Sequence, residues 1–493
     1  MPLTLRRRMR AGLLAAASAA VIAATSPSPI PLGIGDPLFP HLGNPGYDVL
    51  AYDIALDYSG DNTAPLDAVT VLDARALTRL QRINLDFDRG TVTSVEVDGE
   101  PAAFARAGED LVVTPDAPVE ASARTRITVK HTSVPTGKND GGWVRTGDGL
   151  VMANQADAAH RVFPCNDHPS DKAMFTFRIT TRKPDLTAVA SGLPIDVRTS
   201  AADGAVTAAY RTSRPMATEL AQVSIGRNAV VRRTGPHGLP LRDVVRTEDR
   251  ETIEPWLAKT PDHLRWMESR VGRYPFETYG VLAADVTTGF ALETQTLSLF
   301  ERRLFTEPRL PAWYVESIMV HELAHHWFGN SVSPRNWSDL WLSEGHATWY
   351  EALFTEDRTG RSLQERMRNA YRRSDQWRAA GGPPAAPEQP APGRKLSLFR
   401  PVVYDGSALV LYALRAEIGQ AAFDRLERSW VGEHAHGSAS TADFVRLASR
   451  TAARDLTGFF QEWLYARKTP AMPGHPDWTS DAPAEAGGKA AKS

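Results

Sequence analysis

Two histidines and a glutamate are spaced along this chain as a metal-dependent hydrolase would need them. They occupy the segment His321-Glu322-Leu-Ala-His325. Because four residues make just over one helical turn, both imidazoles lie on one helix face and can bind a single ion, while Glu322 lies within reach of a water at that ion. The spacing therefore predicts a zinc site at which Glu322 takes a proton from the attacking water.

A third ligand is needed, since catalytic zinc is held by three protein side chains and keeps one position open. Glu344, in the segment Trp337-Ser-Asp-Leu-Trp-Leu-Ser-Glu344-Gly, follows His325 at a distance that suits a helix, a turn and the start of a second helix folding back. The alternative to a metal site is that the two histidines and Glu322 form only a polar helix face, with Glu344 in a structural ion pair. A calcium site is less consistent with the sequence, because two imidazoles prefer zinc or a similar transition metal. Four further histidines are predicted not to bind the metal: His326, His346, His434 and His436.

The zinc site also needs side chains that orient its ligands. Asp339 lies close to Glu344 on the same predicted helix. Zinc-bound histidines usually donate their other ring N–H to a carboxylate, which makes Asp339 a hypothetical acceptor. An ordinary acidic residue at a helix start explains it equally well.

Periodicity divides the chain into two parts. Over about residues 45–230 apolar residues recur at every second position, as at Tyr52 and Ile54, with turn signals between the runs. This pattern predicts an N-terminal antiparallel β domain. From 231 to 472 we predict a mainly helical domain, and from 473 to 493 a flexible tail.

Within the helical part, two predicted helices would carry the zinc ligands. They span residues 311–329 and 338–357, where the apolar residues follow helical spacing. In one segment, Ala291–Leu299, the residue pattern has a period of two instead, which predicts a strand. Such a strand would be half polar, as expected beside a cleft.

Composition and charge are those of an ordinary globular protein. The residues are 42% hydrophobic and 23% charged. The length of 493 residues is enough for two or three domains with their own cores. With 56 Lys and Arg against 58 Asp and Glu, the net charge is −2, so nothing indicates a nucleic-acid partner. Cys165 is the single cysteine, so no intramolecular disulfide can form and burial is its expected role.

The first 25 residues are typical of a secretory signal peptide. An apolar run over residues 11–24 ends in small residues and follows four arginines: Arg6, Arg7, Arg8 and Arg10. The run is too short to cross a hydrocarbon core of about 30 Å as a helix. We therefore expect residues 1–25 to be removed on export, giving a secreted protein without a permanent membrane anchor.

Several separate segments resemble the aminopeptidase N family of zinc metallopeptidases, over about residues 43–472. Besides the two metal-site segments, Phe163-Pro-Cys-Asn-Asp-His-Pro169 and Lys172-Ala-Met-Phe175 are similar to the family's N-terminal domain. The resemblance implies that the part from 231 to 472 is a thermolysin-like catalytic domain with one Zn²⁺ per chain. The family's large C-terminal helical domain is expected to be absent, because the chain stops soon after Trp463-Leu-Tyr-Ala.

Two residues resemble the family's binding site for a free amino terminus. The family signature Gly-x-Met-Glu-Asn matches Phe290-Ala-Leu-Glu293-Thr294, which keeps the carboxylate but replaces Gly and Asn. A buried anion at a fixed distance from the metal would pair with an α-ammonium group and place the first peptide bond on zinc. A solvent-facing Glu at a strand edge is the alternative. Gln155 resembles the glutamine that the family's N-terminal domain contributes to the cleft.

Tyr404, in Val402-Val-Tyr404-Asp-Gly-Ser-Ala408, matches the tyrosine that donates a hydrogen bond to the oxyanion in this family, although Gly406-Ser407 replaces the family's Lys-Gly. The resemblance implies hydrolysis of the N-terminal peptide bond of peptides. Zn²⁺ would polarise the carbonyl, Glu322 would act as general base, and Tyr404 would stabilise the oxyanion.

Three other functions stay open at this point. A more open cleft could make the protein an endopeptidase, against which Glu293 argues. An epoxide hydrolase is a second alternative, which substrate tests would reveal. The third is a catalytically idle binding protein that contains zinc, but structural zinc sites usually have four protein ligands, and only three are evident here beside Glu322.

Overall fold

A computed structural model describes residues 30–138, 140–389 and 398–481. The predicted signal peptide, residues 1–25, lies outside the described residues. Residues 473–481 pack against the helices, in contrast to the flexible tail predicted from residue 473, because Trp478 is 7% exposed and stacks on Tyr412 at 5.8 Å.

The N-terminal part consists mainly of strands joined by short turns. Their burial alternates, as in β1, where Tyr52, Ile54 and Leu56 are buried and the residues between them are partly exposed. The strands are β1 Tyr47–Tyr58, β2 Leu66–Ala76, β3 Ile83–Asp86, β4 Val92–Val97, β5 Glu100–Pro101, β6 Ala103–Ala107, β7 Asp110–Thr114, β8 Arg124–Ser133, β9 Gly142–Arg145, β10 Leu150–Ala153, β11 Met174–Thr181, β12 Thr187–Ala190, β13 Leu193–Thr199, β14 Val206–Arg211 and β15 Val223–Gly226. Short 3₁₀ helices follow β10 and β14, at Ala159–Arg161 and Thr218–Leu220.

Three sheets form this part within the described residues. The largest has the order β13-β14-β11-β1-β2-β8-β4-β5, and the smaller ones have the orders β12-β15-β10-β9 and β3-β7-β6. Tyr52 pairs with Leu72 in the antiparallel β1–β2 ladder and with Phe175 in the parallel β1–β11 ladder. The predicted antiparallel β domain is confirmed, with β1–β11 as a parallel pair inside it.

The remaining part is mainly helical, as predicted, but it also contains a four-stranded sheet. The helices are α1 Arg250–Leu257, α2 Thr260–Val271, α3 Arg303–Thr306, α4 Ala312–Ala324, α5 Trp341–Thr359, α6 Leu363–Gly381, α7 Asp405–Ile418, α8 Gln420–Glu433, α9 Thr441–Ala452 and α10 Thr457–Tyr465. The strands are β16 Asn228–Thr234, β17 Pro240–Arg246, β18 Val281–Ala284 and β19 Ser298–Glu301, in that spatial order, with a two-stranded pair of β20 Ser333–Pro334 and β21 Ser438–Ala439. Short 3₁₀ helices lie at Pro236–Gly238, Thr247–Asp249 and Trp337–Leu340.

The β16–β19 sheet lies between two hydrophobic cores. On one face Val245, Val281 and Ala283 join the core of the helices. On the other face Val244 and Leu282 join the core of the N-terminal strands. Because successive strand residues point to opposite faces, the same short strands bury apolar side chains on both sides. This sheet therefore fixes the β domain against the helices that carry the zinc ligands.

The predicted strand Ala291–Leu299 is wrong as a single extended element. Leu292 and Leu299 bond to each other, each N–H donating to the other's carbonyl oxygen at 2.8 Å, so the segment folds back on itself. The turn is closed by Thr294, whose Oγ1 donates to the Leu297 carbonyl oxygen at 2.5 Å, and Thr296 adopts a φ of 69°. Only residues from Ser298 onward continue as β19. The turn places Glu293 inside the cleft.

Among the described residues, none of the helices combines the length and the apolar composition that a bilayer span requires.

Candidate active site

The three predicted zinc ligands lie together. His321 is on α4, His325 follows that helix at its C-terminal end, and Glu344 is in the first turn of α5. Oε2 of Glu344 is 3.3 Å from Nε2 of His321 and 3.3 Å from Nε2 of His325. All three side chains are buried, and one ligand atom from each lies within 4.8 Å of the others. Two imidazole nitrogens and one carboxylate oxygen are a donor set that fits zinc.

The structure also shows buried polar atoms that a cation would satisfy. Oε2 of Glu344 and Oε2 of Glu322 are buried, and neither accepts a hydrogen bond from any described residue. A buried carboxylate oxygen without a partner costs free energy, so native proteins normally satisfy it. The residues present therefore fit a metal ion at His321, His325 and Glu344, with Glu322 beside it.

Each ligand histidine is held through its second ring nitrogen. Nδ1 of His321 lies 3.1 Å from Oε2 of Glu351. Arg366 donates from Nη1 to Oε1 of Glu351 at 2.8 Å and from Nε to Asp405 at 2.9 Å. Burial raises the pKa of Glu351, but Arg366 and His321 lower it more strongly, so the pKa is about 2. An ionised Glu351 accepts the Nδ1–H of His321 and leaves Nε2 for the metal.

His325 is oriented by a different group. Its Nδ1 lies 2.9 Å from Oγ of Ser343 and 3.2 Å from the carbonyl oxygen of Phe328. This contact needs a glycine at Gly329, which has a φ of 131° and where a Cβ would lie 2.4 Å from Oγ of Ser343. Ser343 precedes the ligand Glu344, so one turn of α5 both binds the metal and orients a histidine.

The hypothesis that Asp339 accepts from a zinc-bound histidine is wrong. Asp339 lies in the 3₁₀ helix Trp337–Leu340, where Oδ2 accepts from the N–H of Asn336 at 3.1 Å. Its Oδ1 accepts from the N–H and Oγ1 of Thr441 at 2.8 and 2.7 Å. The residue therefore caps the turn before α5 and ties it to α9.

Glu293 is buried beside the metal site and contacts the β domain. Nε2 of Gln155 donates to Oε1 of Glu293 at 2.7 Å. A side-chain atom from each of Glu293, Glu322 and His325 lies within 4.8 Å of the others. At 4% exposure, Glu293 is not a solvent-facing residue at a strand edge.

Asn330, whose role the sequence did not indicate, holds the backbone at Glu293. Its Nδ2 donates to the Glu293 carbonyl oxygen at 2.6 Å, and its own N–H donates to the His325 carbonyl oxygen at 2.9 Å. Nζ of Lys172, from the β domain, donates to the carbonyl oxygens of Asn330 and Ser331 at 2.7 and 3.1 Å. These bonds fix Glu293 relative to a zinc ligand.

Tyr404 lies at the start of α7 with its ring 6.0 Å from that of His321. The helix approaches α5 closely because of Gly345, where a Cβ would lie 2.7 Å from Cβ of Ser407. Burial, and then the nearby carboxylates of Glu344 and Glu293, raise the pKa of Tyr404 well above its usual value. The phenol is therefore protonated at neutral pH and can donate a hydrogen bond.

Two of the remaining histidines near the site have both ring nitrogens in contact with other protein groups. His326 lies 2.8 Å from the Tyr274 hydroxyl and 3.0 Å from Oγ of Ser298. His346 lies 2.6 Å from the Leu342 carbonyl oxygen and 3.2 Å from Oε1 of Glu427. Both rings pack in the core as structural groups.

Comparison with known proteins agrees with this geometry. The Peptidase family M1 domain matches residues 257–463, and the Peptidase M1 N-terminal domain matches residues 69–220. The solved M1 zinc metallopeptidase of Deinococcus radiodurans is 27% identical with a TM-score of 0.77, covering 90% of this chain and 98% of its own. A mutant of it bound to a Tyr-Ser-Ala substrate gives 28% identity and a TM-score of 0.78, with 90% and 100% covered.

Among curated proteins, Probable aminopeptidase 1 of Saccharolobus solfataricus is 24% identical over 452 residues, which is 86% of this chain and 53% of that protein. The chain spans about half or less of the length of the curated relatives it matches. Both matched domains, the shared fold and the ligand set lead to one conclusion: the chain belongs to peptidase family M1, the zinc metallopeptidases that include enzymes named aminopeptidase N, and His321, His325 and Glu344 form its candidate zinc site.

Proposed function

We propose that this protein is an aminopeptidase, which hydrolyses the N-terminal peptide bond of peptides. The observation that carries the proposal is the position of Glu293, buried beside Glu322 and His325 and held by Gln155. A buried carboxylate this close to Glu322 and His325, with one side-chain atom of each within 4.8 Å of the others, can pair with the α-ammonium group of a peptide. The first peptide bond then lies at the metal site.

The cleft supports this orientation of the substrate. A cavity of 280 Å³ is lined by Gln155, Glu293, Glu322, Glu344 and Tyr404, among others. A larger cavity of 740 Å³ adjoins it and shares Glu322 and Tyr404 in its lining. A peptide whose amino group is bound at Glu293 in the smaller cavity can extend its remaining residues into the larger one.

In this mechanism zinc would polarise the scissile carbonyl and lower the pKa of the attacking water. Glu322 takes a proton from that water and later gives it to the leaving amine, which is general acid–base catalysis by one residue. Burial raises the pKa of Glu322 to about 8, and a cation at the site favours the ionised form that acts as base. The Tyr404 hydroxyl donates a hydrogen bond to the developing oxyanion.

A panel of amino-acid p-nitroanilides with the amino group either free or acetylated tests the proposal. We expect the mature protein to cleave only the free-amine substrates, and a zinc chelator to abolish that cleavage. Equal cleavage of acetylated substrates would instead indicate an endopeptidase. An absence of cleavage would favour the catalytically idle protein.

We also propose that the protein is exported and loses residues 1–25. The support is the arginine cluster before the apolar run over residues 11–24. N-terminal sequencing of the protein recovered from the culture medium tests this. Recovery only from the cell interior, with the first residues intact, would contradict it.

A further inference from the structure

The turn that follows Glu293 is bound to the β domain at three successive residues. Each residue of the turn forms a hydrogen bond to a different segment of that domain, and the donor–acceptor distances are 3.2 Å for Thr294 with Gln222, 2.9 Å for Gln295 with Leu220, and 2.7 Å for Thr296 with Gly192. Because successive residues are bonded to separate segments, the turn has little freedom to move relative to the β domain.

Thr296 has an unfavourable backbone conformation within this turn. Its φ of 69° lies in the left-handed region, which β-branched residues rarely adopt because Cβ crowds the backbone. The side chain is 0% exposed. Residues in such conformations persist only where their surroundings hold them, and they are common at active sites. The contacts of Thr296 must therefore stabilise this conformation.

The hydroxyl of Thr296 makes such a contact, with a rigid partner. Oγ1 accepts from the N–H of Gly192 at 2.7 Å. Gly192 is held in turn by Arg242 on β17, a buried residue whose Nη2 donates to the carbonyl oxygens of Gly192 and Ala190 at 2.8 and 2.7 Å. Gly192 has a φ of 85°, and a Cβ there would collide with the Arg211 carbonyl oxygen. The partner of Thr296 is thus fixed on both sides.

The conformation of Thr296 determines where Glu293 lies. The N–H of Leu297 donates to the Thr294 carbonyl oxygen at 3.1 Å, and Oγ1 of Thr294 donates to the Leu297 carbonyl oxygen at 2.5 Å. Thr296 is the third residue of this closed four-residue turn, a position at which several turn types require a positive φ. Since the turn begins directly after Glu293, a change of φ at Thr296 moves the Glu293 backbone.

We propose that Thr296 is a positioning residue for recognition of the substrate's amino group. Its hydroxyl holds the turn against Gly192, and the turn holds the Glu293 carboxylate in the lining of the 280 Å³ cavity. The inference rests on the proposed aminopeptidase function, in which Glu293 binds the α-ammonium group. Thr296 is itself buried and acts through Glu293.

Two substitutions at Thr296 test the role of the hydroxyl with leucine p-nitroanilide and the zinc-containing protein. Thr296→Ala removes the acceptor, and we expect KM to rise about tenfold, because a small displacement of Glu293 weakens its pairing with the ammonium group. The value of kcat should change much less, since that pairing is made in the ground state and the transition state alike. Thr296→Ser retains the hydroxyl and should keep the wild-type KM.

KM also distinguishes positioning from a purely structural role. Losing a buried hydrogen bond destabilises the fold, and partial unfolding lowers the apparent kcat through the amount of active enzyme but leaves KM unchanged. Thr70→Ala is the matched control, because Thr70 is a buried residue of β2 whose hydroxyl lies 2.9 Å from Nε2 of His131. It should lower Tm without raising KM.

Thr296→Gly separates stability from positioning at the same residue. Glycine adopts a positive φ without strain, so this variant should have a higher Tm than Thr296→Ala. Because it also lacks the hydroxyl, it should show the same raised KM. A wild-type KM in Thr296→Gly would refute the proposal.

A double-mutant cycle shows whether Thr296 acts through Glu293. In the Glu293→Gln background, Thr296→Ala should no longer change kcat/KM, because the carboxylate that it positions is absent. An effect of equal size with and without the Glu293 carboxylate would refute the proposal.

The outcomes also distinguish this inference from the function on which it rests. If the wild type cleaves only free-amine substrates and Thr296→Ala keeps the wild-type KM, the positioning role is refuted and the aminopeptidase function stands. A raised KM in Thr296→Ser or in Thr70→Ala equal to that of Thr296→Ala refutes it as well. If the wild type cleaves no free-amine substrate, both proposals are overturned.

Discussion

Nε2 of Gln155 donates a hydrogen bond of 2.7 Å to Oε1 of Glu293, and so joins two residues that lie in different parts of the fold. Gln155 follows β10 of the β domain, whereas Glu293 lies in the turn before β19. Because a carboxylate accepts several hydrogen bonds, this one fixes Glu293 and still allows it to accept from an ammonium group. The β domain therefore contributes directly to the proposed binding site for the substrate's amino group.

Removing that donor should weaken the binding of free amino groups. In Gln155→Ala we expect KM for leucine p-nitroanilide to rise about tenfold, since a hydrogen bond to a charged group contributes about 1.5 kcal/mol or more. Glu293→Gln should have a larger effect, because it removes the charge itself. Steady-state kinetics measure both, and Gln364→Ala, at an exposed position of α6, is the matched control. An unchanged KM in both site variants would show that the amino group binds elsewhere.

Glu322→Gln should separate metal binding from turnover. The substitution keeps the size of the side chain but removes the base, so we expect kcat to fall about 10²- to 10⁴-fold. Zinc content should stay near one ion per chain, because the ligands are His321, His325 and Glu344. Metal analysis and kinetics on the same preparation check this. Full activity in the variant would exclude Glu322 as the base.

The two histidines of the candidate zinc site could be predicted from sequence because their geometry is local. His321 and His325 lie one helical turn apart, so their spacing alone places both rings on one side. The alternation in the N-terminal part was equally informative, since a strand with one buried face repeats every two residues. Both signals depend on short stretches of chain.

Other features depend on contacts between distant segments. The strands of the central sheet are short and buried on both faces, as in β18, so they lack the alternation that indicates a strand. Asn330 acts on Glu293 through a tertiary contact. The role of Glu351 beside the zinc site could have been predicted from the sequence. It lies seven residues after Glu344, which is two turns along the same face of α5.

Glu351 should affect how tightly zinc is held. Its ionised carboxylate accepts from Nδ1 of His321 and is itself bound by Arg366. In Glu351→Gln we expect the Kd for zinc to rise about 10- to 100-fold, as is usual when the acceptor behind a metal-bound histidine is removed. Competition with a chelator of known affinity measures this. Glu251→Gln, at an exposed position of α1, should leave the Kd unchanged, and an unchanged Kd in Glu351→Gln would exclude the orienting role.

A buried carboxyl group in the central sheet should make stability depend on pH. Asp243, on β17, is fully buried and accepts from the N–H of Val281 at 3.0 Å and from Nε of Arg233 at 3.1 Å. Burial raises its pKa to about 6, although both of these donors lower it. Since the usual value is about 3.9, the folded state binds more protons than the unfolded state between these two pH values.

The sign of the effect follows from that difference. The free energy of unfolding of the wild type, relative to Asp243→Asn, should fall by on the order of 2 kcal/mol as the pH rises from 4 to 7, and then level off. Urea unfolding of both proteins at several pH values, with chelator present so that metal binding does not contribute, measures this. Asp116→Asn, at an exposed position, is the control. The difference in the free energy of unfolding between the wild type and this variant should stay constant over the same pH range. A difference between wild type and Asp243→Asn that is constant from pH 4 to 7 would mean that Asp243 titrates in the folded protein as it does in the unfolded chain.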